Sequence, residues 1–576
     1  MRRILIALLA VAALTGCSSA SDSDSDTDDG AHSAGPADGS AVGHDNSRSC
    51  AQELDEALGA WADAGFSGSV ALATGGEPDC VASYGQALDD PPTPNTPDTV
   101  FAIGSVSKSF TAAAVLQLAG EGALSLDERA GSLVPGLGGP AADATVEQLL
   151  LHTSGLTGTH GEDHVPLDRE EAVAAISRLE RAFEPGTDFL YSNGGYTLLA
   201  LIIEELTDEG HREFLASRIL PLPEGGSAGG FWDGEPAAPE PRARGRLADG
   251  PSEQVGAFAG PHWALAGNGD LAMTATELAS WTHALFTGQV VPPEWAEVIA
   301  TPGWVGEDGT AETPGWVALD EAAFGAPVLA VAGGGSATGH HAVAVWLPES
   351  RRSLAITSNS AEITAEELAR AVGPALLADE PPPLPEGQAA DVPPAELAAV
   401  EGAYALASGG VLDVVAEGSG LSVSAHGPDA VSALFPPTGG FTADELRAHE
   451  DRVRALWAGE SQEGREEREA LESEFGPIDA IAVDGTLVDG GEPRTYVTLS
   501  VGDDSVTLWY ALDEAGGIAG VEGPVAAPAL PLVPVGGGEF RPDDPTGDRS
   551  EPSVAFDEGT MTLSGPAGVT TAETAD

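Results

Sequence analysis

The stretch "FAIGSVSKSF", Phe101 to Phe110, contains Lys108, and the 576-residue chain has no other lysine. Every other member of its 24 basic residues is arginine, set against 91 acidic residues for a net charge of −67. The lysine that was kept stands three positions after Ser105. The residues that follow, "KSFTAAAVLQLAGEG", are apolar on nearly every face and end at glycine. A helix apolar all round is a buried helix, so a buried helix is expected here with Ser105 at its first turn. Helix positions i and i+3 share a face, which lets Ser105 meet Lys108. A serine hydroxyl is a weak nucleophile and needs a base within hydrogen-bond reach. Burial disfavours the ammonium form of lysine, whereas arginine stays protonated under ordinary conditions. The helix N-terminus adds partial positive charge beside Ser105, which favours an oxyanion there. Ser-x-x-Lys alone is a weak signal, because average composition gives about one or two chance hits in a chain this long. With a single lysine available, a chance serine three residues before it has a prior of roughly 7%.

Further along, "EPGTDFLYSNGGY" holds Tyr191, Ser192 and Asn193 just before another helical pattern. A tyrosine beside an ammonium has its pKa lowered and can shuttle protons between nucleophile and leaving group. Asn193 can hold a substrate carbonyl or the lysine. Taken alone, a surface tyrosine followed by an asparagine helix cap is the better reading of this segment.

Together these segments resemble the serine β-lactamase-like superfamily, in particular class C β-lactamases, D-Ala-D-Ala carboxypeptidases of the Tyr-x-Asn type and family VIII carboxylesterases. The block "VFAIGSVSKSFTAAAVLQLAGEGALSLDERAGSLVP" is similar to the family's nucleophile block, and "QLLLHTSGL" to its "LLTHTSGL" landmark, where His152 reads as structural. The segments "FEPGTDFLYSNGGYTLLALIIEELT" and "AGNGDLAMTATELASWTHALFTG" resemble later blocks, so the likeness covers about Ala51 to Ser360. The resemblance implies that Ser105 is the acylated nucleophile, Lys108 its base or electrostatic partner and Tyr191 the proton shuttle, with Asn193 positioning substrate. It departs at the third motif. Where the family has Lys-Thr-Gly or His-Thr-Gly, the expected slot reads Gly333-Gly334-Gly335 in "AVAGGGSATGHHAVAVWLPE". A glycine-rich strand still lets substrate approach closely, and the Ser336 N–H is expected to pair with that of Ser105 as an oxyanion hole. The group that would hold a substrate carboxylate is missing. His340, His341 and Arg351 are the nearby substitutes, each more simply read as a strand-facing residue.

The rest of the chain frames this segment. Arg2 and Arg3 precede "ILIALLAVAAL", too short to span a bilayer as a mature helix, and "LTGC" matches a lipobox ending at Cys17. Residues 1–16 are therefore expected to be a lipoprotein signal peptide, with Cys17 lipidated. Residues 17–49, rich in Ser, Asp and Gly, read as a flexible tether. In an oxidising exterior the two remaining cysteines, Cys50 and Cys80, are expected to pair. Two short strands, a helical middle and strands at "APVLAVAGGG", "HAVAVWLPE" and "RSLAITSN" suggest one α/β domain with a helical insertion over residues 50–379. Helices are expected at "TVEQLLLH", "REEAVAAISRLERA", "GYTLLALIIEELT" and "TATELASWTHALFTG". The family likeness implies an antiparallel sheet flanked by helices plus a helical subdomain. Residues 380–395 are a Pro-rich linker. Residues 396–576 alternate with Gly/Asp turns and are expected to form a smaller β-rich domain resembling the lipocalin-like domain often appended to this family. A charged helical stretch interrupts it, and Trp457, Trp509 and Tyr510 are assigned to its core.

The charge repels nucleic acid and anionic headgroups. No metal-ligand spacing, Walker loop or dinucleotide fingerprint is evident, so no cofactor is expected. The expected protein is a monomeric, lipid-anchored, cell-surface serine hydrolase, touching the membrane through its anchor only. Its substrate is a small ester, an amide or a peptidoglycan-derived peptide, with ester cleavage ranked first, D,D-carboxypeptidase second and β-lactamase third. The reading from a different class is a non-catalytic binding or sensory lipoprotein.

Overall fold

A computed structural model describes residues 50–575, apart from 51, 163–164, 208, 224, 248–249, 252–261, 307–308, 310, 336–337, 361, 386–391, 439–440, 459–460, 490–491, 503, 513–515, 543–551, 558 and 566–567. Cys17, the signal peptide, the tether and Ser336 therefore lie outside the described residues. The chain divides into two compact units, one ending at Pro383 and the other beginning at Leu384.

The first unit is built on an antiparallel sheet. Its strands are β1 (Gly68–Thr74), β2 (Glu77–Tyr84), β3 (Trp304–Val305), β4 (Ala311–Thr313), β5 (Trp316–Leu319), β6 (Val328–Gly335), β7 (His340–Leu347) and β8 (Arg352–Ser358). They lie in the order β3-β4-β5-β6-β7-β8-β1-β2. The two N-terminal strands thus complete a sheet whose other strands come some 200 residues later, through pairs such as Val70↔Ile356. Everything between is inserted, and it is mostly helical. Strand β7 is buried at all eight positions, as it must be when both faces of a sheet are covered. Helices α1 (Gln52–Asp63), α4 (Ala275–Phe286) and α5 (Ala365–Ala378) pack on the sheet, while α2 (Ser107–Gly120) and α3 (Asn193–Thr207) pack against each other in the inserted part. Cys50, just before α1, is disulfide-bonded to Cys80 of β2.

Local sequence sets the helix starts. Thr274 and Thr364 each accept the N–H three residues on, while Glu277 and Glu367 bond back to the cap, two capping boxes that satisfy orphan donors at the first turn. Helix α2 has buried residues on every face, and Phe110 stacks on Trp281 of α4. One expectation overshoots. "REEAVAAISRLERA" is helical only over Arg169–Ile176, because Glu180 and Arg181 pair with Leu156 and Thr157 as a short ladder. That long-range pairing outweighs helix propensity, a weak prior.

The second unit contains a closed eight-stranded barrel. Its strands are Gly402–Leu406, Val411–Glu417, Gly420–His426, Ala529–Gly536, Glu539–Pro542, Ser553–Asp557, Thr560–Gly565 and Gly568–Thr574. Closure leaves no free sheet edge. Side chains including Tyr404, Leu412, Val423, Phe540 and Met561 fill it. Between the third and fourth barrel strands comes an insertion whose described residues include the helices Pro428–Leu434, Ala443–Trp457 and Gln462–Phe475 and a separate four-stranded sheet over Ala480–Glu522. So "RTYVTLSVGDDSVTLWYAL", expected as part of one β domain, belongs to this inserted sheet. Trp457 and Tyr510 are buried in its core. Trp509 is only half-buried, with the Arg494 guanidinium 4.3 Å from its ring centroid. Among the described residues no helix is long and apolar enough to cross a membrane.

Candidate active site

Phe101 and Ala102 pair with Met273 and Ala272, and the chain then makes a 3-10 turn over Gly104–Val106 that runs into α2. Ser105 sits in this turn, half-buried. Lys108, one turn on and 3% exposed, donates from Nζ to Ser105 Oγ at 3.0 Å. The Tyr191 hydroxyl donates to the same oxygen at 2.7 Å. The ammonium lies 4.7 Å from the Tyr191 ring centroid and 5.8 Å from that of Tyr196. A lysine one turn away and a tyrosine 86 residues away thus meet at one oxygen atom, with the lysine buried between two aromatic faces.

A loop before α4 completes the lysine's surroundings. Lys108 Nζ also donates to the backbone oxygen of Asn268 at 2.9 Å. Thr111 and Thr197 donate to the carbonyls of Gly267 and Ala266, and Asn268 Nδ2 bonds back to Thr197 Oγ1 and the Ala264 carbonyl. Gly267 has φ +77°, and a Cβ there would stand 2.7 Å from that of Ala200. The loop is tied to α2 and α3 so that its carbonyls face inward. Sequence reasoning missed Asn268, because a backbone carbonyl leaves no mark on residue type; the glycines on either side of it are the one hint.

His152 takes a larger part than the structural role expected of it. Its carbonyl accepts from Leu190 N–H at 2.9 Å and its Nδ1 accepts from Ser192 N–H at 3.1 Å, so it holds the chain on both sides of Tyr191. Its ring is 4.5 Å from that of Tyr191, centroid to centroid. Burial, with the Lys108 charge adding to it, pushes the ring pKa down to about 3, so the imidazole is neutral and its Nδ1 is free to accept.

The glycine-rich strand corrects the expected register. Strand β5 pairs with β6 only over Val328–Ala330. From Val331 onward that side of β6 has no strand partner among the described residues, and it meets the Gly104–Val106 turn instead. A Cβ on Gly333 would lie 2.4 Å from Val106 N, 2.5 Å from Ser105 N and 2.6 Å from Ile103 O. Gly104, at φ +47°, would place a Cβ 2.7 Å from Gly334 N. The glycine that permits the close approach is Gly333, so the triplet at the nucleophile reads Val331-Ala332-Gly333, two residues earlier than expected. Gly335 instead pairs with His340. No side chain fits at 333, and the two preceding positions are uncharged.

Asn193 is the exposed first residue of α3. His340 is fully buried against Trp232, and His341 Nδ1 lies 3.3 Å from Glu366. Arg351 is an exposed turn residue with φ +54°. None of these three is a cation presented at Ser105.

An antiparallel sheet joined across a helical insertion, with Ser-x-x-Lys at the start of a buried helix and a tyrosine facing it, defines the β-lactamase/transpeptidase fold of serine hydrolases. The chain belongs to the Beta-lactamase family, whose sequence model matches residues 52–378. A prokaryotic membrane lipoprotein lipid attachment site matches residues 1–18. Among curated relatives, penicillin-binding protein 4* of Bacillus subtilis (strain 168) is 32% identical over 188 residues, 31% of this chain and 41% of the relative. The putative penicillin-binding protein PbpX of the same organism is 29% identical over 239 residues, 42% of this chain and 60% of the relative. The chain therefore spans less than two thirds of either. Among solved structures, the octameric penicillin-binding protein homologue from Pyrococcus abyssi aligns with TM-score 0.52 at 19% identity, covering 89% of this chain and 98% of that one, a likeness of fold alone.

Proposed function

We propose that the protein is an extracytoplasmic, lipid-anchored serine hydrolase that cleaves a small ester or amide through an acyl-enzyme on Ser105. The observation that carries this is the single oxygen, Ser105 Oγ, held 3.0 Å from Lys108 Nζ and 2.7 Å from the Tyr191 hydroxyl. As Oγ bonds to the substrate carbonyl carbon, its proton passes to the Lys108–Tyr191 pair in the form in which one of the two is deprotonated and can accept it. The pair then delivers a proton to the leaving oxygen or nitrogen as that bond breaks, leaving Ser105 acylated. A water molecule attacks the acyl carbon in the second half, giving up one proton to the same pair, and Ser105 recovers its hydroxyl as the acid departs. The N–H groups of Ser105 and Gly334, brought together by two glycines, serve as the oxyanion hole. The earlier assignment of that role to Ser336 lies outside the described residues. Asn193 stays a candidate for contact with substrate.

The Val331-Ala332-Gly333 triplet supports a ranking of substrates. β-Lactams and D-Ala-terminated peptides carry a carboxylate, and losing a charge-assisted hydrogen bond to it costs about 1.5–3 kcal/mol. Neutral esters forgo nothing there, so ester cleavage ranks above D,D-carboxypeptidase and both above β-lactamase activity. The same uncharged triplet also favours a second reading, a non-catalytic lipoprotein that binds cell-wall fragments. Short p-nitrophenyl esters and a D-Ala-D-Ala peptide, compared on one preparation and its Ser105→Ala variant, decide between them. Ester turnover that vanishes in the variant is expected. No turnover of either substrate would establish the binding reading, and faster cleavage of the peptide would reverse the ranking.

A further inference from the structure

The first unit holds a cavity of about 550 Å³ that Ser105, Lys108 and Tyr191 do not line. Its floor includes His211, 3% exposed, and His262, 5% exposed, with Ala266 and Trp263 beside them. A neutral imidazole has one N–H to donate and one lone pair to accept. Among the described residues neither ring nitrogen of His211 has a hydrogen-bond partner. Buried polar groups in folded proteins are nearly always paired, so an unsatisfied ring on a cavity floor points to something that enters the cavity. The ring is neutral, because burial and the adjacent Arg212 push its pKa down to about 3.

The charge of the walls says what kind of ligand fits. Among the described residues, the guanidiniums that line the cavity, Arg169 and Arg212, are both committed. Arg212 donates to Asp270, a buried carboxylate, at 3.1 Å, and to the Asp233 carbonyl. Arg169 is paired with Glu204 at 2.9 Å and with Glu205. On the rim, Asp168, Glu171 and Glu213 are exposed carboxylates. Asp168 and Glu171 cap the helix at Arg169–Ile176 through bonds to backbone N–H groups, and among the described residues no ion pair to either is formed by a cation lining the cavity. An anion would meet three carboxylates there. A protonated amine would be drawn in by them, donate to the lone pair of His211, and lay an apolar body against Trp263 and Leu167. We propose that this cavity is a second ligand site, separate from Ser105, for a small primary amine carrying an apolar group.

The site involves no reacting atom, so it stands or falls independently of the chemistry at Ser105. Isothermal titration calorimetry of the mature chain with benzylamine, benzyl alcohol and benzoate tests it. Saturable binding of one benzylamine per chain is expected, with benzoate showing none and benzyl alcohol at least tenfold weaker. His211→Phe, which keeps ring volume and removes the acceptor, and Glu213→Gln, at an exposed rim position, should each weaken benzylamine at least tenfold. If His211→Phe does not fold, Glu213→Gln alone decides. Absence of saturable benzylamine binding, benzoate binding as tightly as the amine, or an unchanged Kd in the variants would each overturn the proposal.

Discussion

Lys108 donates to Ser105 and to the Asn268 carbonyl while buried between two tyrosine rings, and its worth lies in being able to lose a proton. Arginine keeps the charge and the hydrogen bonds but not that ability. Lys108→Arg should therefore be as damaging as Lys108→Ala, each lowering kcat/KM for a p-nitrophenyl ester by about 10³-fold or more, within the range for a lost acid–base group. An arginine variant with near-normal rate would leave the lysine only an electrostatic part. His152 is a positioning residue for Tyr191, since it accepts from the chain on both sides of it. His152→Phe should lower kcat by about 10–100-fold with KM little changed, because an error of about 1 Å in a reacting group can cost that much. His152→Gln, whose amide oxygen can accept from Ser192 N–H, should recover part of the loss; equal loss in both would make the ring's packing the cause instead. The serine, lysine and tyrosine were legible in the sequence because their chemistry resides in their side chains. Asn268 was not, since it acts through a carbonyl; Gly333 was singled out among three glycines, but that it is the one whose absent Cβ lets the strand reach Ser105 was not.

Elements bring these groups to within hydrogen-bond reach, and the tightest junction is that of β6 with the Gly104–Val106 turn. The three atoms nearest a methyl at position 333 would all be backbone, which cannot swing aside. Gly333→Ala should cut ester turnover at least 100-fold by pushing the strand off Ser105. Gly59, in α1, has nothing within 4 Å of its missing Cβ and no positive φ. Gly59→Ala should instead raise stability by about 0.5–1 kcal/mol, the usual helix preference for alanine. Both are read from a thermal melt and a rate on the same preparations, and a neutral Gly333→Ala would mean the close approach is dispensable. The Cys50–Cys80 bridge spans a sequence separation of 30, so Cys80→Ala should cost on the order of 3–4 kcal/mol in the chain-entropy picture, visible as a lowered urea midpoint. Local signals were legible in part: the expected helix at "TATELASWTHALFTG" begins on Thr274, the residue that caps α4, and Gly/Asp turns mark the late hairpins, whereas α5, capped in the same way by Thr364, was not among the expected helices. What sequence alone concealed was partnership across distance: that β1 joins β8, that residues 180–181 leave a helix to pair with 156–157, and that the second unit splits into a barrel and an inserted sheet.

The whole chain carries −67 formal charges and one lysine, so bulk electrostatics repel anions while the site keeps a single desolvated cation. Its buried histidines give the molecule a definite response to acid. Burial pushes the rings of His152, His211 and His340 down to about 3 and those of His160 and His449 to about 4. The unfolded chain binds those protons from about pH 6.5 downward, whereas the native chain does not until pH 3–4. Unfolding in that window takes up protons, and stability falls as pH falls. Burial lowers His283 as well; Asp270, Glu277, Glu450 and Asp484 are pushed up by burial and oppose the fall in stability, but they are four groups against six. Calorimetry at pH 5.5 in buffers of different ionisation enthalpy should show net proton uptake on unfolding; net release would mean the histidines are charged in the folded chain. Covalent adduct formation at Ser105 can be measured directly. The mature chain is treated with a fluorophosphonate, and its intact mass and peptide map are compared with those of Ser105→Ala. One adduct per chain, on the peptide containing Ser105 and absent from the variant, is the predicted result. An unmodified chain, or the same adduct in the variant, would contradict it.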